Sequence, residues 1–254
     1  MAERQGGTGP VTLAVDIGGT GLKAAVLDSA GDLLSDRVRV DTPHPAAPDA
    51  LVARLCALVA PLPDYDRVSV GFPGMVRAGR VRSAPNLVRT SRRGDAVSDR
   101  AVAAWSGFDL AGALAAELGK PTKVVNDASM QGAAVVSGCG LELVVTLGTG
   151  FGTALFWQGK LTPHLEFAHH PFRKRQTYEQ QLGDAARRRA GNRKWSRRVR
   201  VAVNTLRALS DFDHVYLGGG NSGHLTVDLG PNATVVDNLA GILGGIRLWD
   251  CDPI

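Results

Sequence analysis

The chain is poor in cysteine, in aromatic residues and in long apolar runs, and each shortage closes off a class of protein. Cys56, Cys139 and Cys251 are odd in number, far apart and without a C-x-x-C pair. A disulfide framework or a thiolate zinc site is therefore not expected, and a reducing compartment fits. The longest apolar stretches are strand-sized, short of the roughly 20 residues that a membrane-spanning helix needs. Met1 to Pro10 is polar and glycine-rich and lacks the apolar core of a signal peptide. The expectation is a cytoplasmic protein with no membrane partner. At 254 residues, with 44% hydrophobic and 21% charged, the chain has enough apolar material for two packed α/β lobes.

Charge is present but uneven. Between Pro171 and Arg200 stand eleven Lys and Arg residues against two acids, Glu179 and Asp184. Such a block is either a solvated helix face or a contact for a polyanion such as a nucleotide, a phosphate chain or nucleic acid. No recognition-helix or aromatic RNA-binding motif accompanies the arginines, so nucleic acid is not an expected partner.

The pattern alternates strands, glycine turns and helices. Val11–Val15 is a strand ending at Asp16 and Gly18-Gly19. Leu22–Leu27 and Leu33–Val40 follow as further strands of a meander. Asp49–Leu62 has helical spacing, Val68–Phe72 is a buried strand, and Leu110–Leu118 is a helix stopped by Gly119. Thr122–Val125 is a strand leading through Asn126-Asp127 into a helix over Ala128–Val136. The theme then repeats: strand Leu143–Leu147, turn Gly148-Thr149-Gly150, strand Thr153–Trp157, helix Trp195–Leu209, strand His214–Leu217, turn Gly218–Gly220, and a helix from Asn238 to Leu248. Two similar halves predict a duplicated α/β fold of two lobes with a ligand cleft, divided as 1–125 and 126–254, the C-terminal helix being able to return to the first lobe.

Five clusters carry candidate chemistry. Asp16, Gly18, Gly19, Thr20 and Lys23 offer backbone N–H groups, a hydroxyl and a point charge to an anion, and Asp16 can hold a magnesium-bound water. Gly148, Thr149 and Gly150 repeat that turn in the second half. Asn126-Asp127 either supplies a base beside a bound hydroxyl or simply caps a helix. Glu166, His169 and Glu179 suit hydrogen bonding to vicinal hydroxyls, although His170 is equally available to sequence reasoning. Gly218, Gly219 and Gly220 admit a nucleobase or phosphate close to the backbone, or are a plain flexible turn.

Read in order, DIGGTGLKAAVLD (16–28), GFPGMV (71–76), APNL (84–87), VVNDA (124–128), VTLGTGFGTALF (145–156), LEFAH (165–169) and YLGGGNS (216–222) resemble the "repressor, open reading frame, kinase" (ROK) family of sugar kinases, within the actin-like ATPase superfamily. RVRVDTPHPAAPDALV (37–52) and TLGTGFGTALFWQGKLTP (146–163) look most like its polyphosphate glucokinases. The resemblance implies an actin-like (ribonuclease H-like) α/β fold and transfer of a phosphoryl group from polyphosphate or ATP, with Mg2+, to the 6-hydroxyl of a hexose. Asp127 is then the base, Asn86, Asn126, Glu166, His169 and Glu179 hold the sugar, the two Gly-Thr turns hold phosphate, and Gly218–Gly220 lie by the adenosine. It also implies a homodimer and no structural zinc, because arginines stand where the family's Cys-rich element would be. Ala168 replaces the family's usual glycine. An ATP-specific hexose or amino-sugar kinase and a non-catalytic sugar-binding regulator are the competing readings.

Overall fold

The computed structural model describes residues 9–89, 96–236 and 240–251. Most of the polar opening segment, and the first residues of the helix expected from Asn238, lie outside the described residues. The chain divides into two compact units: residues up to Met130 with Gly241–Trp249, and Gln131–Ala240 with the residues from Asp250 onward.

In the first unit β1 (Thr12–Ile17), β2 (Leu22–Leu27) and β3 (Val38–Val40) form an antiparallel meander. The strand expected over Leu33–Val40 is cut to its last three residues, because side chains compete for the ladder. Asp28 Oδ1 accepts the N–H groups of Ala30, Gly31 and Asp32, and Ser35 Oγ takes the Val26 N–H at 3.0 Å. β4 (Arg67–Phe72) runs parallel to β1, and β5 (Thr122–Asn126) parallel to β4, giving the order β3-β2-β1-β4-β5.

Side chains on β1 alternate between the sheet's two faces. Leu13, Val15 and Ile17 pack with α1 (Pro48–Val59), α2 (Asp99–Trp105) and α3 (Leu110–Leu118). The reading of the sequence did not include α2. It is capped by Ser98, whose hydroxyl accepts from Ala101 N, and is anchored by buried Trp105, whose Nε1–H donates to Ala46 O at 2.7 Å. α3 ends where expected, with Gly119 in the left-handed region at φ 63°. On the opposite face Ala14 meets Met130 of α4 (Asp127–Ala133). The small side chains there admit α8 (Ala240–Arg247) so closely that a Cβ on Gly245 would stand 2.9 Å from Ala14 Cβ. Ser69 Oγ donates to Gly245 O at 2.6 Å and accepts from Trp249 Nε1 at 2.8 Å. Gly245→Val should overpack this contact and cost about 2 kcal/mol, measurable as a lower midpoint in urea unfolding.

The second unit repeats the plan. β6 (Leu141–Leu147), β7 (Phe151–Trp157) and β8 (Lys160–Leu161) form a meander; β9 (His214–Gly218) and β10 (Ala233–Val235) add in parallel, in the order β8-β7-β6-β9-β10. Strand directions match the first sheet one for one. α7 (Asn192–Ser210) lays Trp195, Val199, Val203 and Leu206 on this sheet, extending beyond both expected ends. Two short helices that the sequence reading left out, α5 (Tyr178–Leu182) and α6 (Asp184–Ala190), precede it. At the base of β6 the buried Glu142 carboxylate accepts from Ser137 N and Oγ, Gly138 N and the Tyr216 hydroxyl, at 2.7–3.0 Å.

Candidate functional site

In the first unit, three parallel strands end on one edge of the sheet. Asp16 of β1 faces Gly71 of β4, and Phe72 faces Asn126 of β5. The ends of open parallel strands are where such folds place ligands. With strands about 4.8 Å apart, Asp16 and Asn126 stand roughly 10 Å from each other.

The turn after β1 is closed by Gly18 N–H to Gly21 O at 2.9 Å. Its carbonyls, which would repel an anion, are engaged elsewhere: Thr42 Oγ donates to Gly18 O at 2.7 Å, and His44 Nε2–H donates to Gly19 O at 2.8 Å. Gly19 packs closely on Asn86: a Cβ there would lie 3.2 Å from Asn86 Cβ, a tight contact. Arg39 crosses the same turn, its guanidinium 2.9 Å from where a Gly21 Cβ would sit. Lys23 Nζ, paired across the ladder, reaches the Asp16 carboxylate at 3.1 Å. Arg39, Thr42 and His44 were not among the candidate residues, although the segment 37–52 had been marked as family-like.

Asn126 is buried and its amide is occupied on both sides. Nδ2 donates to Gly74 O at 3.1 Å, and Oδ1 accepts from Ala128 N at 2.9 Å. Asp127 Oδ1 shares that same N–H at 2.8 Å. The helix-cap reading of Asn126-Asp127 is thus present in the structure, and it fixes the Asp127 carboxylate at the first position of α4. Gly71 lies under this helix start, where a Cβ would reach 3.4 Å from Asp127 Cα, an ordinary contact.

The second unit brings its candidates together by the same logic. Gly218 of β9 faces Thr146 of β6, so the two glycine turns leave neighbouring strand ends. Asn221 ties them: its N–H donates to Leu147 O and its Nδ2 to Gly148 O, both at 2.9 Å. Gly219 has φ +88°, and a Cβ would fall 2.6 Å from Leu147 O, so only glycine fits. Gly183 lies against Thr149 O, and Asp184 N–H donates to Gly148 O at 3.0 Å, joining the start of α6 to the Gly148–Gly150 turn. Glu179 lies over Gly150, its Oε1 2.9 Å from where a Cβ would be, and its Oε2 is 3.5 Å from His169 Nδ1.

Glu166 Oε1 accepts from Ala168 N at 3.0 Å, and Oε2 faces His164 Nε2 at 3.6 Å. Burial alone would raise the Glu166 carboxyl. His164, the Ala168 N–H and the field of His169 outweigh it and hold the group below its ordinary value. Ala168, with its added methyl, is buried, and its carbonyl accepts from Glu179 N at 2.9 Å. His169 lies beside Glu179, whereas His170 Nδ1 donates to Pro171 O.

The basic block separates into two groups. Arg187 and Arg188 both bind Asp184. Arg198 has its guanidinium lowered by burial and then by neighbouring Arg173 and Arg189, and its Nε is buried without a hydrogen-bond partner among the described residues. Beside Arg173, Lys174 and Arg175 turn a tight hairpin with φ 52° and 58°. Among the described residues, no three His, Cys, Asp or Glu side chains gather as a metal-ligand set, and no helix is long and apolar enough to cross a membrane.

Residues 12–165 match the model of the ROK family. The chain is similar to the polyphosphate glucokinase of Mycobacterium tuberculosis, 28% identical over 91% of this chain and 88% of the relative. It is similar also to that of Mycobacterium leprae, 30% identical over 94% and 74%. Among solved structures it resembles the inorganic polyphosphate/ATP-glucomannokinase from Arthrobacter sp. strain KM, with 31% identity, a TM-score of 0.77, and coverage of 94% of this chain and 97% of that one.

Proposed function

The chain belongs to the ROK family, and from that premise we propose that it is a sugar kinase moving a phosphoryl group from polyphosphate or ATP to the 6-hydroxyl of glucose or a similar hexose. The observation that carries this reading is the shared strand edge in the first unit. There a carboxylate fixed at a helix start, Asp127, accompanies a glycine turn whose carbonyls are drawn away by Thr42 and His44. Similarity to proteins named polyphosphate glucokinase and glucomannokinase supports the choice of sugar and donor.

In this mechanism Asp127 takes the proton of the sugar hydroxyl as the new phosphorus–oxygen bond forms and the bond to the donor's bridging oxygen breaks, releasing ADP or a polyphosphate one phosphate shorter. Glu166, His169 and Glu179 accept and donate hydrogen bonds to ring hydroxyls, with Asn86 and Asn126 completing the hold. The N–H groups of Gly19 and Thr20 and of Thr149 and Gly150 take phosphate oxygens, in turns closed by the Gly18 and Gly148 N–H groups, and Gly218–Gly220 stand by the nucleoside when ATP is the donor. A single carboxylate beside a phosphate turn suits magnesium, which keeps most of its waters; Asp16 is the residue to hold it through water, and the ion when bound offsets phosphate charge.

The basic cluster favours polyphosphate. A two-residue hairpin turn with both φ positive normally carries Asn-Gly. Lys174 and Arg175 occupy it instead, at a cost of about 1 kcal/mol each, and retention of charge against turn preference points to an anionic ligand. The double variant Lys174→Asn, Arg175→Gly should therefore raise the melting temperature while raising the KM for long-chain polyphosphate about fivefold or more, with the KM for ATP within twofold. A coupled hexose-6-phosphate assay with each donor reads this directly. No effect on either donor would leave Lys174 and Arg175 a solvated turn, and an equal effect on both would make them a general phosphate contact; either outcome removes the preference for polyphosphate.

A further inference from the structure

Histidine 164 was no part of the sequence reading, and its surroundings are unusual. Its side chain is only 7% exposed, yet neither ring nitrogen has a hydrogen-bond partner among the described residues. A buried polar group left in this state is costly and calls for an explanation. The nearest polar group is the Glu166 carboxylate, itself 21% exposed, with Oε2 3.6 Å from His164 Nε2. That separation is a few tenths of an ångström beyond a hydrogen bond. The other carboxylate oxygen is already held by the Ala168 N–H.

We propose that His164 is a positioning residue for sugar recognition: its Nε2–H fixes the Glu166 carboxylate in one orientation and in its acceptor-only form, so that Glu166 can receive two neighbouring sugar hydroxyls. The inference rests on the sugar-kinase reading. A carboxylate only accepts, so Nε2 must carry a proton for the contact to be favourable. Closing the gap when sugar binds turns it into a charge-assisted bond, the stronger kind. The other groups acting on Glu166 are the Ala168 N–H and His169, and His169 is in turn balanced by Glu179.

The sign of the pH effect follows. A carboxyl held below its ordinary value stays ionised further into acid, so sugar binding through Glu166 is complete above the free glutamate range. It fades only as pH falls through the lowered value. Removing His164 should move that fading toward neutral pH.

The test compares His164→Leu, which fills the space without a donor, with His164→Gln, whose amide N–H can replace Nε2–H. With glucose as the probe in calorimetry, and with glucose and ATP in steady-state kinetics, His164→Leu should raise Kd and KM together, about 10- to 100-fold, and leave kcat within threefold. His164→Gln should recover most of the loss. Equal damage in the two variants, or a fall in kcat with KM unchanged, would overturn the proposal. A second measurement needs neither variant nor sugar. Nitrogen-15 spectra of the wild-type protein should show the tautomer or cation with a proton on Nε2 of His164, and carbon-13 titration should show Glu166 ionising below a free glutamate. An imidazole protonated only on Nδ1 would sink the positioning role. If the wild-type chain binds no hexose while the spectra are as expected, the sugar-kinase reading has failed and the His164–Glu166 coupling stands.

Discussion

Asp127→Asn should lower kcat by a factor on the order of 10² or more while hexose Kd stays within about threefold. The expectation turns on what the substitution leaves alone. In the wild-type chain the Ala128 N–H is shared by Asn126 Oδ1 and Asp127 Oδ1, at 2.9 and 2.8 Å. An asparagine retains that oxygen, so the first turn of α4 remains capped and Met130 stays seated against Ala14, Ala25 and Leu27. What disappears is a basic carboxylate able to accept a proton during bond formation. Single-turnover rates with glucose and either donor, alongside calorimetric glucose binding, separate chemistry from affinity. Near-normal turnover in a folded Asp127→Asn protein would remove Asp127 as the base and leave the proton to another acceptor. Asp127→Ala is the poorer probe, because it also discards a cap worth about 1 kcal/mol.

The largest loss of stability is expected at Glu142, at the opposite end of β6 from the Gly148–Gly150 turn. Its carboxylate is fully buried and collects two backbone N–H groups and two hydroxyls, from Ser137, Gly138 and Tyr216. The same interaction reaches the Tyr216 phenol, whose ionisation is raised by burial first and by Glu142 next. Glu142→Ala would strand all four donors in a cavity, at a cost of about 3–4 kcal/mol. For a protein of this size that is a fall of about 10 °C in melting temperature. Glu142→Gln keeps an acceptor oxygen and should lose clearly less. Thermal unfolding of the two variants against wild type decides it; equal melting temperatures in all three would show the network to be dispensable.

Much of the fold was legible because it is local. Alternation along Thr12–Ile17 and Leu141–Leu147, glycine turns after each, and Gly119 in the left-handed region after α3 are all set by neighbours in sequence. The duplication followed from the same signals, and the two sheets have identical strand order and direction. The failures were local too. Ser35 and Asp28 side chains consumed the ladder over Leu33–Arg37. α5 and α6 are each too short to show a period, although the Thr177–Gln180 capping box at the start of α5 was a readable signal.

The candidate residues are a different matter. Residue type marked Asp127, Glu166 and the two Gly-Thr turns only as candidates, each with a plain structural alternative, and it was their order along the chain, resembling the ROK family, that gave them proposed roles. Setting Glu179 beside His169 and over Gly150, lending Thr42 and His44 to the first turn, and burying His164 beside Glu166 all required the folded chain. The return of the C-terminal helix to the first lobe was an option in the sequence, but its partner, Ser69 on Gly245 O 176 residues away, was not. The physical reason is range. Backbone preference and hydrophobic period act over a few residues and can be read in order along a chain. Hydrogen bonds and close contacts between distant segments depend on packing that no short window contains.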